Sequence, residues 1–352
     1  MQPKNRLIRV IALAIGVLLC CSLPVAGLTG GTILRALAQA VFGTTTPTPD
    51  GPTSTATPEG TPAPVALCGA PPAMFILLIG TDSRADSYAA GLADSMRIVR
   101  LDFVEPGITY LSFQRDLYVE IPGIAEHGGI THGKLNQAYL YGNSAFGYYD
   151  GEGEGPGLLA LTMQHNFGTH TDHYVAVNMQ TFVRVVDALG GLDINLPYVV
   201  DGRARGSKDP SRYFPAGNQH LDGYRTLILA RMRPEGDFQR SNTQNLILQA
   251  LAAKLLSPAL LPALPDLIDA FRTSVQTDLG PAEIAQLICL ASMLTPEKIV
   301  ANNFPETLFA GTRVNDPVLG RTFVWQVDFS ILRAYVEYFN RGAWPETPLG
   351  AP

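Results

Sequence analysis

Met74-Phe-Ile-Leu-Leu-Ile79 is an unbroken apolar run that stops at Gly80-Thr-Asp82-Ser-Arg84. A run this short, with no polar face, predicts a strand buried on both sides in the middle of a sheet. Two further strands are read directly after it, Met96-Arg-Ile-Val-Arg-Leu-Asp-Phe103 and Ile108-Thr-Tyr-Leu-Ser-Phe113, separated by the turn Glu105-Pro-Gly107. The turn predicts a hairpin. If each strand pairs antiparallel with the one before it, Asp82, Asp94 and Gln114-Arg115-Asp116 meet at one rim. Such rims are where α/β sheets hold ligands. Carboxylates beside arginine suit a divalent cation with phosphate oxygens. The alternative is that Asp82 and Asp94 merely cap loops, as Asx residues do.

Further along, the pattern alternates. Gly157 to Phe167 reads as helix, His173 to Asn178 as strand, Met179 to Leu189 as helix ending at Gly190-Gly191, and Leu192 to Leu196 as strand. The fold class expected is α/β: a mixed central sheet flanked by helices in three layers. Thr226 to Ala230 reads as another strand, which would point Arg231 and Arg233 the same way. Phe238 to Leu256 reads as a helix with Arg240 and Gln244 on one face of its first turns. Four such groups at a helix start suit a polyphosphate, and a charged surface helix is the alternative. The segment from residue 261 to 352 contains a helix start at Asp278-Leu-Gly-Pro281 and a strand near Phe323 to Val327. It either finishes the same domain or forms a small accessory lobe.

The N-terminus places the protein. Lys4, Arg6 and Arg9 precede nineteen uncharged residues, Val10 to Leu28. A helix of that length spans about 28 Å, enough for a bilayer core. Positive charge before the span predicts a cytoplasmic N-terminus (residues 1–9), a single transmembrane helix (10–28) and an extracytoplasmic body. A cleaved signal peptide is the alternative. Residues 29–64 form a juxtamembrane segment and tether; Thr44 to Pro64 holds eight Thr and six Pro in twenty-one residues, too polar to build a core. The main domain is read over 65–260. Of the four cysteines, Cys20 and Cys21 fall in the span, and Cys68 and Cys289 fall in the exported part. There a Cys68–Cys289 disulfide and two unpaired buried thiols both fit.

Several classes are excluded. The net charge is −6 and the body has no Lys/Arg cluster, which argues against nucleic acid as a partner. No GxSxG occurs, so a nucleophile-elbow hydrolase is not indicated. Gly128-x4-Gly133-Lys134 approaches a P-loop, but residue 135 is Leu rather than Ser or Thr, and no strand is read before it. His170 and His173 lack a third ligand nearby and read as turn histidines.

Taken together, the motifs resemble the LytR–CpsA–Psr family of cell-envelope enzymes. They are Leu77-Leu-Ile-Gly-Thr-Asp-Ser-Arg84, Ala93-Asp-Ser95, Ser112-Phe-Gln-Arg-Asp116, Lys134-Leu-Asn136, Asp172-His-Tyr174, Val186-Asp-Ala-Leu-Gly-Gly-Leu-Asp193, Phe214-Pro-Ala-Gly217, Leu221-Asp-Gly223 and Arg231-Met-Arg233 with Asp237 and Arg240. The likeness runs from about Phe75 to Leu256. It implies transfer of a glycopolymer from a polyprenyl-pyrophosphate carrier to peptidoglycan through a phosphodiester, with Mg2+ as cofactor and the lipid in an apolar tunnel. Carried over by motif, Asp82 and Asp94 hold or orient the metal and, with Arg240, serve catalysis. Arg84, Arg115, Lys134, Asn136, Arg231, Arg233, Asp237 and Gln244 belong to the pyrophosphate site. A non-catalytic polyprenyl-phosphate or cell-wall binding protein and a polyprenyl-pyrophosphate-sugar hydrolase are the alternatives on the same fold. Three positions depart from the family pattern: Leu92 and Thr243 stand where arginines are usual, and Gln114 where proline is. Arg97 is a candidate replacement cation.

Overall fold

The computed structural model describes residues 65–83, 88–255, 275–294 and 298–350. The expected anchor and tether at 1–64, with Cys20 and Cys21, lie outside the described residues, as does Arg84. Among the described residues, no helix is long and apolar enough to cross a membrane.

In chain order the strands are β1 (Ala73–Thr81), β2 (Ala93–Asp102), β3 (Gly107–Phe113), β4 (Tyr118–Glu120), β5 (His132–Lys134), β6 (His173–Asn178), β7 (Leu192–Leu196), β8 (Val200–Asp201), β9 (Tyr213–Phe214), β10 (Gly217–Leu221), β11 (Val275–Thr277), β12 (Ile299–Asn302), β13 (Ala310–Asp316) and β14 (Gly320–Gln326). The helices are α1 (Leu135–Gly142), α2 (Glu154–Phe167), α3 (Met179–Ala188), α4 (Gly223–Arg231), α5 (Asp237–Leu255), α6 (Pro281–Ala291) and α7 (Phe329–Asn340). The main sheet has the order β11-β6-β1-β2-β3-β12. β2 is antiparallel to both β1 and β3, while β6 runs parallel to β1. The sheet is therefore mixed, as the sequence predicted. The segment after residue 260 supplies both edges, β11 antiparallel to β6 and β12 parallel to β3.

The apolar run explains the layering. Side chains alternate across a strand, so Met74 and Ile76 enter one core while Phe75, Leu77 and Ile79 enter the other. The first core is closed by Val185 and Val186 of α3, Leu229 of α4, Ile247 and Leu251 of α5, and Leu287 of α6. The second is closed by Tyr139 of α1, Leu158 and Leu159 of α2, and Leu332 and Tyr335 of α7. A sheet apolar on both faces requires helices on both sides.

One element differs from the sequence reading. Thr226 to Ala230, expected as a strand, lies in helix α4. The apolar run is too short for periodicity to decide, and the capping residue decides it instead. Asp222 accepts a hydrogen bond from the Arg225 N–H at 2.7 Å, and the Thr226 hydroxyl donates back to the Asp222 carbonyl at 2.6 Å. Gly223 permits the close approach to α3: a Cβ there would lie 2.3 Å from the Val183 carbonyl oxygen.

Cys68 and Cys289 form a disulfide with their Cα atoms 5.7 Å apart, tying the start of the domain to α6 across 221 residues. Closing so long a loop stabilises a fold by about 2–5 kcal/mol. The Cys68→Ser/Cys289→Ser variant is expected to melt about 5–15 °C below the wild type in a circular-dichroism scan. Equal melting temperatures would show that the cross-link contributes nothing.

Candidate active site

The face of the sheet that carries Met74 and Ile76 also carries Leu78 and Gly80, and here the packing opens. A cavity of about 250 Å³ lies between β1, β2 and β6 on one side and α3, α4 and α5 on the other. Helix α5 runs along it, and its lining residues Arg240, Gln244, Ile247, Leu248 and Leu251 recur at helical spacing. The cavity is thus polar beside the first turns of α5. It is apolar further on, where Leu78, Val175 and Phe182 face Ile247, Leu248 and Leu251. Arg231, the last residue of α4, and Arg233 in the loop that follows complete the polar end with Arg240. These two arginines reach the same cavity from a helix end and a loop, and not from one strand face as expected.

Arg97 also lines this cavity and is 4% exposed. Its position follows from β2: residues 97, 99 and 101 share a face, and Val99 and Leu101 pack in the first core. The guanidinium donates to Ser95 Oγ, to Asn245 Oδ1 at 3.2 Å and to Gln244 Oε1 at 3.5 Å, all neutral acceptors. The departures at 92 and 243 look different beside it. Thr243 is 1% exposed, and its hydroxyl lies 3.3 Å from Tyr198 Oη. Position 243 is thus taken up by a buried contact, whereas Arg97 reaches the cavity from the opposite wall.

The rim beside the polar end forms as the antiparallel meander predicted. Asp82 follows β1 and is held against β2: its N–H donates to the Leu92 carbonyl at 3.0 Å, and its Oδ1 accepts from the Leu92 N–H at 2.7 Å. Gly91 makes this fit possible. Its φ is +148°, and a Cβ there would lie 2.6 Å from Thr81 Oγ1. Asp94, which lines the cavity, pairs with Arg115 just past β3. Arg115 also pairs with Asp116 at 3.1 Å, and Asp116 accepts from Lys134 Nζ at 2.8 Å. The buried Asn136 donates its backbone N–H to the Arg115 carbonyl at 3.1 Å. Of the expected site residues, Asp94, Arg231, Arg233, Arg240 and Gln244 line the cavity. Arg115, Lys134 and Asn136 join it through the Asp94 and Asp116 network. Asp237 opens α5.

Asp116 was placed at the rim and Ser95 in a motif without a role of its own, and Asn245 was not singled out from the sequence. Asp116 is 4% exposed. Burial raises its pKa, but Arg115 and Lys134 outweigh that and hold the carboxyl below the ordinary value. His170 pairs with Asp172 at 2.9 Å and His173 with Asp278 at 3.4 Å.

Fold and cavity define a three-layer α/β protein with a cation-lined pocket that continues into an apolar channel. The family model described as LytR_cpsA_psr matches residues 64–330, and the chain belongs to that family. It is 31% identical over 209 residues to the polyisoprenyl-teichoic acid–peptidoglycan teichoic acid transferase TagU of Bacillus mycoides, covering 58% of this chain and 60% of that protein. It is 29% identical over 215 residues to the regulatory protein MsrR of Staphylococcus aureus, covering 60% and 58%. The matched part therefore spans about three fifths of these curated relatives. Among solved structures, B. subtilis TagV superposes with a TM-score of 0.57 at 26% identity, covering 78% of this chain and 98% of that one.

Asp116→Asn removes the charge that balances Arg115 and Lys134 and is expected to cost about 2–3 kcal/mol at pH 7. A carboxyl with a depressed folded pKa contributes stability above its unfolded value, about 3.9, and loses it as pH falls through the folded one. Chemical denaturation of both proteins should thus show the gap closing as pH drops below about 4. A gap that stays constant with pH would contradict this assignment.

Proposed function

We propose that this protein transfers a glycopolymer from a polyprenyl-pyrophosphate carrier to peptidoglycan, leaving a phosphodiester link. The observation that carries this reading is the polarity of one cavity along α5, with Arg240 and Gln244 at its start and Ile247, Leu248 and Leu251 beyond. Adjacent phosphates on a long hydrocarbon chain would use both ends at once. The relatives named as transferases from polyisoprenyl-teichoic acid to peptidoglycan support the same reading.

The acceptor hydroxyl oxygen attacks the phosphorus that carries the glycan. The bond from that phosphorus to the bridging oxygen breaks, polyprenyl phosphate leaves, and the hydroxyl proton passes to base or water. Phosphoryl transfer needs positioning and charge neutralisation more than covalent help from the protein. Arg231, Arg233 and Arg240 are assigned to the pyrophosphate oxygens, with Gln244 as a neutral donor. Arg97, held by Ser95, Gln244 and Asn245, is assigned to the same oxygens from the opposite wall. Arg115 orients Asp94, and Asp116 holds Arg115 and Lys134 in place.

The residues fit Mg2+. This ion prefers hard oxygen ligands and needs only one or two carboxylates when substrate phosphates complete its shell. Asp82 and Asp94 sit at one end of the β1–β2 pair, and the hydrogen bonds described engage Oδ1 of each. These two carboxylates would hold the ion. When bound, the ion would neutralise phosphate charge. Residues 10–28 would anchor the chain in the cell membrane, with residues 29–64 as tether, placing the cavity outside the cytoplasm near the carrier lipid.

The test uses the full chain in detergent with a short polyprenyl-pyrophosphate oligosaccharide, peptidoglycan fragments and Mg2+. Sugar joined to peptidoglycan and released polyprenyl phosphate are expected. Asp94→Ala and Arg240→Ala should each slow transfer by about 10²–10³-fold, and chelation of Mg2+ should stop it. Arg97→Met should raise the donor KM about tenfold and leave the acceptor KM unchanged. Tight donor binding without turnover, across several donors and acceptors, would sink the transferase reading in favour of a binding protein. Free sugar phosphate alone would mark a hydrolase.

A further inference from the structure

The first turns of α5 have a second side. Positions 238 and 242 are four apart and share a face, while 240 lies about 200° around the helix from 238. Arg240 faces the cation-lined cavity, and Phe238, Gln239 and Asn242 face a separate cavity of about 450 Å³. Its other walls include Tyr198, Trp325 of β14 and Glu306.

The chemistry of these walls is unlike that of the first cavity. No lysine or arginine lines it among the described residues, and Glu235 joins Glu306 there, both exposed. Two carboxylates repel phosphate. Three aromatic rings and two carboxamides beside them suit a neutral, hydroxyl-rich ligand. Apolar C–H faces pack on the rings, while hydroxyls donate to the carboxylates and exchange hydrogen bonds with the amides. The volume lies within the roughly 300–1,000 Å³ of small-molecule sites.

The walls are tied to the phosphate-site network. The Trp325 backbone N–H donates to the Asp116 backbone carbonyl at 2.9 Å, and the Asp116 carboxylate is held by Arg115 and Lys134. Phe238 packs on Trp325 with ring centroids 5.6 Å apart. Tyr198 Oη contacts Thr243 of α5 at 3.3 Å. The loop from Arg233 to Gly236 separates the two cavities, with Arg233 lining the first and Glu235 and Gly236 the second.

We infer that the second cavity is a saccharide subsite that holds neutral sugar units of the acceptor glycan beside the phosphate centre. The assignment to the acceptor rests on the transferase reading, whereas the saccharide chemistry of the walls does not. The donor's own sugars offer similar hydroxyls, so the test must separate the two sources.

Trp325 and Trp344 are the two tryptophans of the chain. In a full-length Trp344→Phe background, Trp325 fluorescence reports directly on the cavity. The protein in detergent is titrated with a soluble peptidoglycan tetrasaccharide and, separately, with a free oligosaccharide matching the donor's first sugars. A saturable response to the tetrasaccharide is expected. Asn242→Ala and Glu306→Gln should each weaken it about tenfold without changing binding of polyprenyl pyrophosphate. In the transfer assay the same variants should raise the acceptor KM and spare the donor KM. No saturable response to either saccharide, in protein that still binds polyprenyl pyrophosphate, overturns the subsite and leaves the transferase reading standing. Saturation by the donor sugars alone overturns the acceptor assignment. Saturation by the tetrasaccharide in protein that never turns over a donor supports the subsite while striking the transferase reading.

Discussion

The antiparallel pairing of β1, β2 and β3 is the constraint on which the rest of the molecule depends. Reversal of direction at each turn brings the end of β1, the start of β2 and the end of β3 to one rim. Register then does the finer work. Thr81 pairs with Ala93 after a bulge at Gly80, which sets Asp82 beside Leu92 and leaves Asp94 at the cavity edge. A shift of one residue in β2 would send Ser95 and Arg97 into the opposite core and bring Met96 into the cavity. Such a shift would bury a guanidinium among Leu77, Ile79 and Leu111, and its desolvation cost protects the native register.

Charge at this rim is held in alternation. Asp94 meets Arg115, Arg115 meets Asp116, and Asp116 meets Lys134. Each group lies between partners of opposite sign or ends the chain, and at the buried Asp116 the two cations outweigh the cost of burial. Such a chain preorganises its cations: they need not be pulled out of water when an anionic ligand arrives. Helix α5 complements the rim with one element serving three surfaces. Arginine and glutamine face the polar end of the cavity, aliphatic residues face its channel, and aromatic and amide residues face the second cavity.

Much of this was legible because short-range patterns were strong. The run at 74–79, the turn at 105–107 and the reversal they imply lead directly to the sheet and the rim. Where local signals were weak, tertiary structure decided. Thr226 to Ala230 has a strand-like composition, yet Asp222 caps it as helix and Gly223 lets it pack against Val183. The site is partly legible for the same reason. Residues at strand ends and helix starts announce themselves, whereas Asn245 lies mid-helix with no local mark. Its role exists only because Arg97 comes to it from a strand 148 residues earlier. Arg97 did carry a signal: a charged residue at a position in phase with Val99 and Leu101, both inward.

That signal bears on how the family's cation set is kept in this chain. Leu92 and Thr243 depart from the family pattern, and taken alone they subtract positive charge from the proposed pyrophosphate site. The structure gives Thr243 to Tyr198, in a buried contact. A cation returns at 97 from the opposite wall, supported by Ser95, Gln244 and Asn245. The exchange does not restore the original geometry. Arg97 enters from the sheet, and its guanidinium is held by Ser95 of the same strand and by Gln244 and Asn245 of α5. One arginine thus stands in for two departed positions, and what it adds is set by where Ser95, Gln244 and Asn245 hold its guanidinium, which a count of arginines in the sequence cannot express.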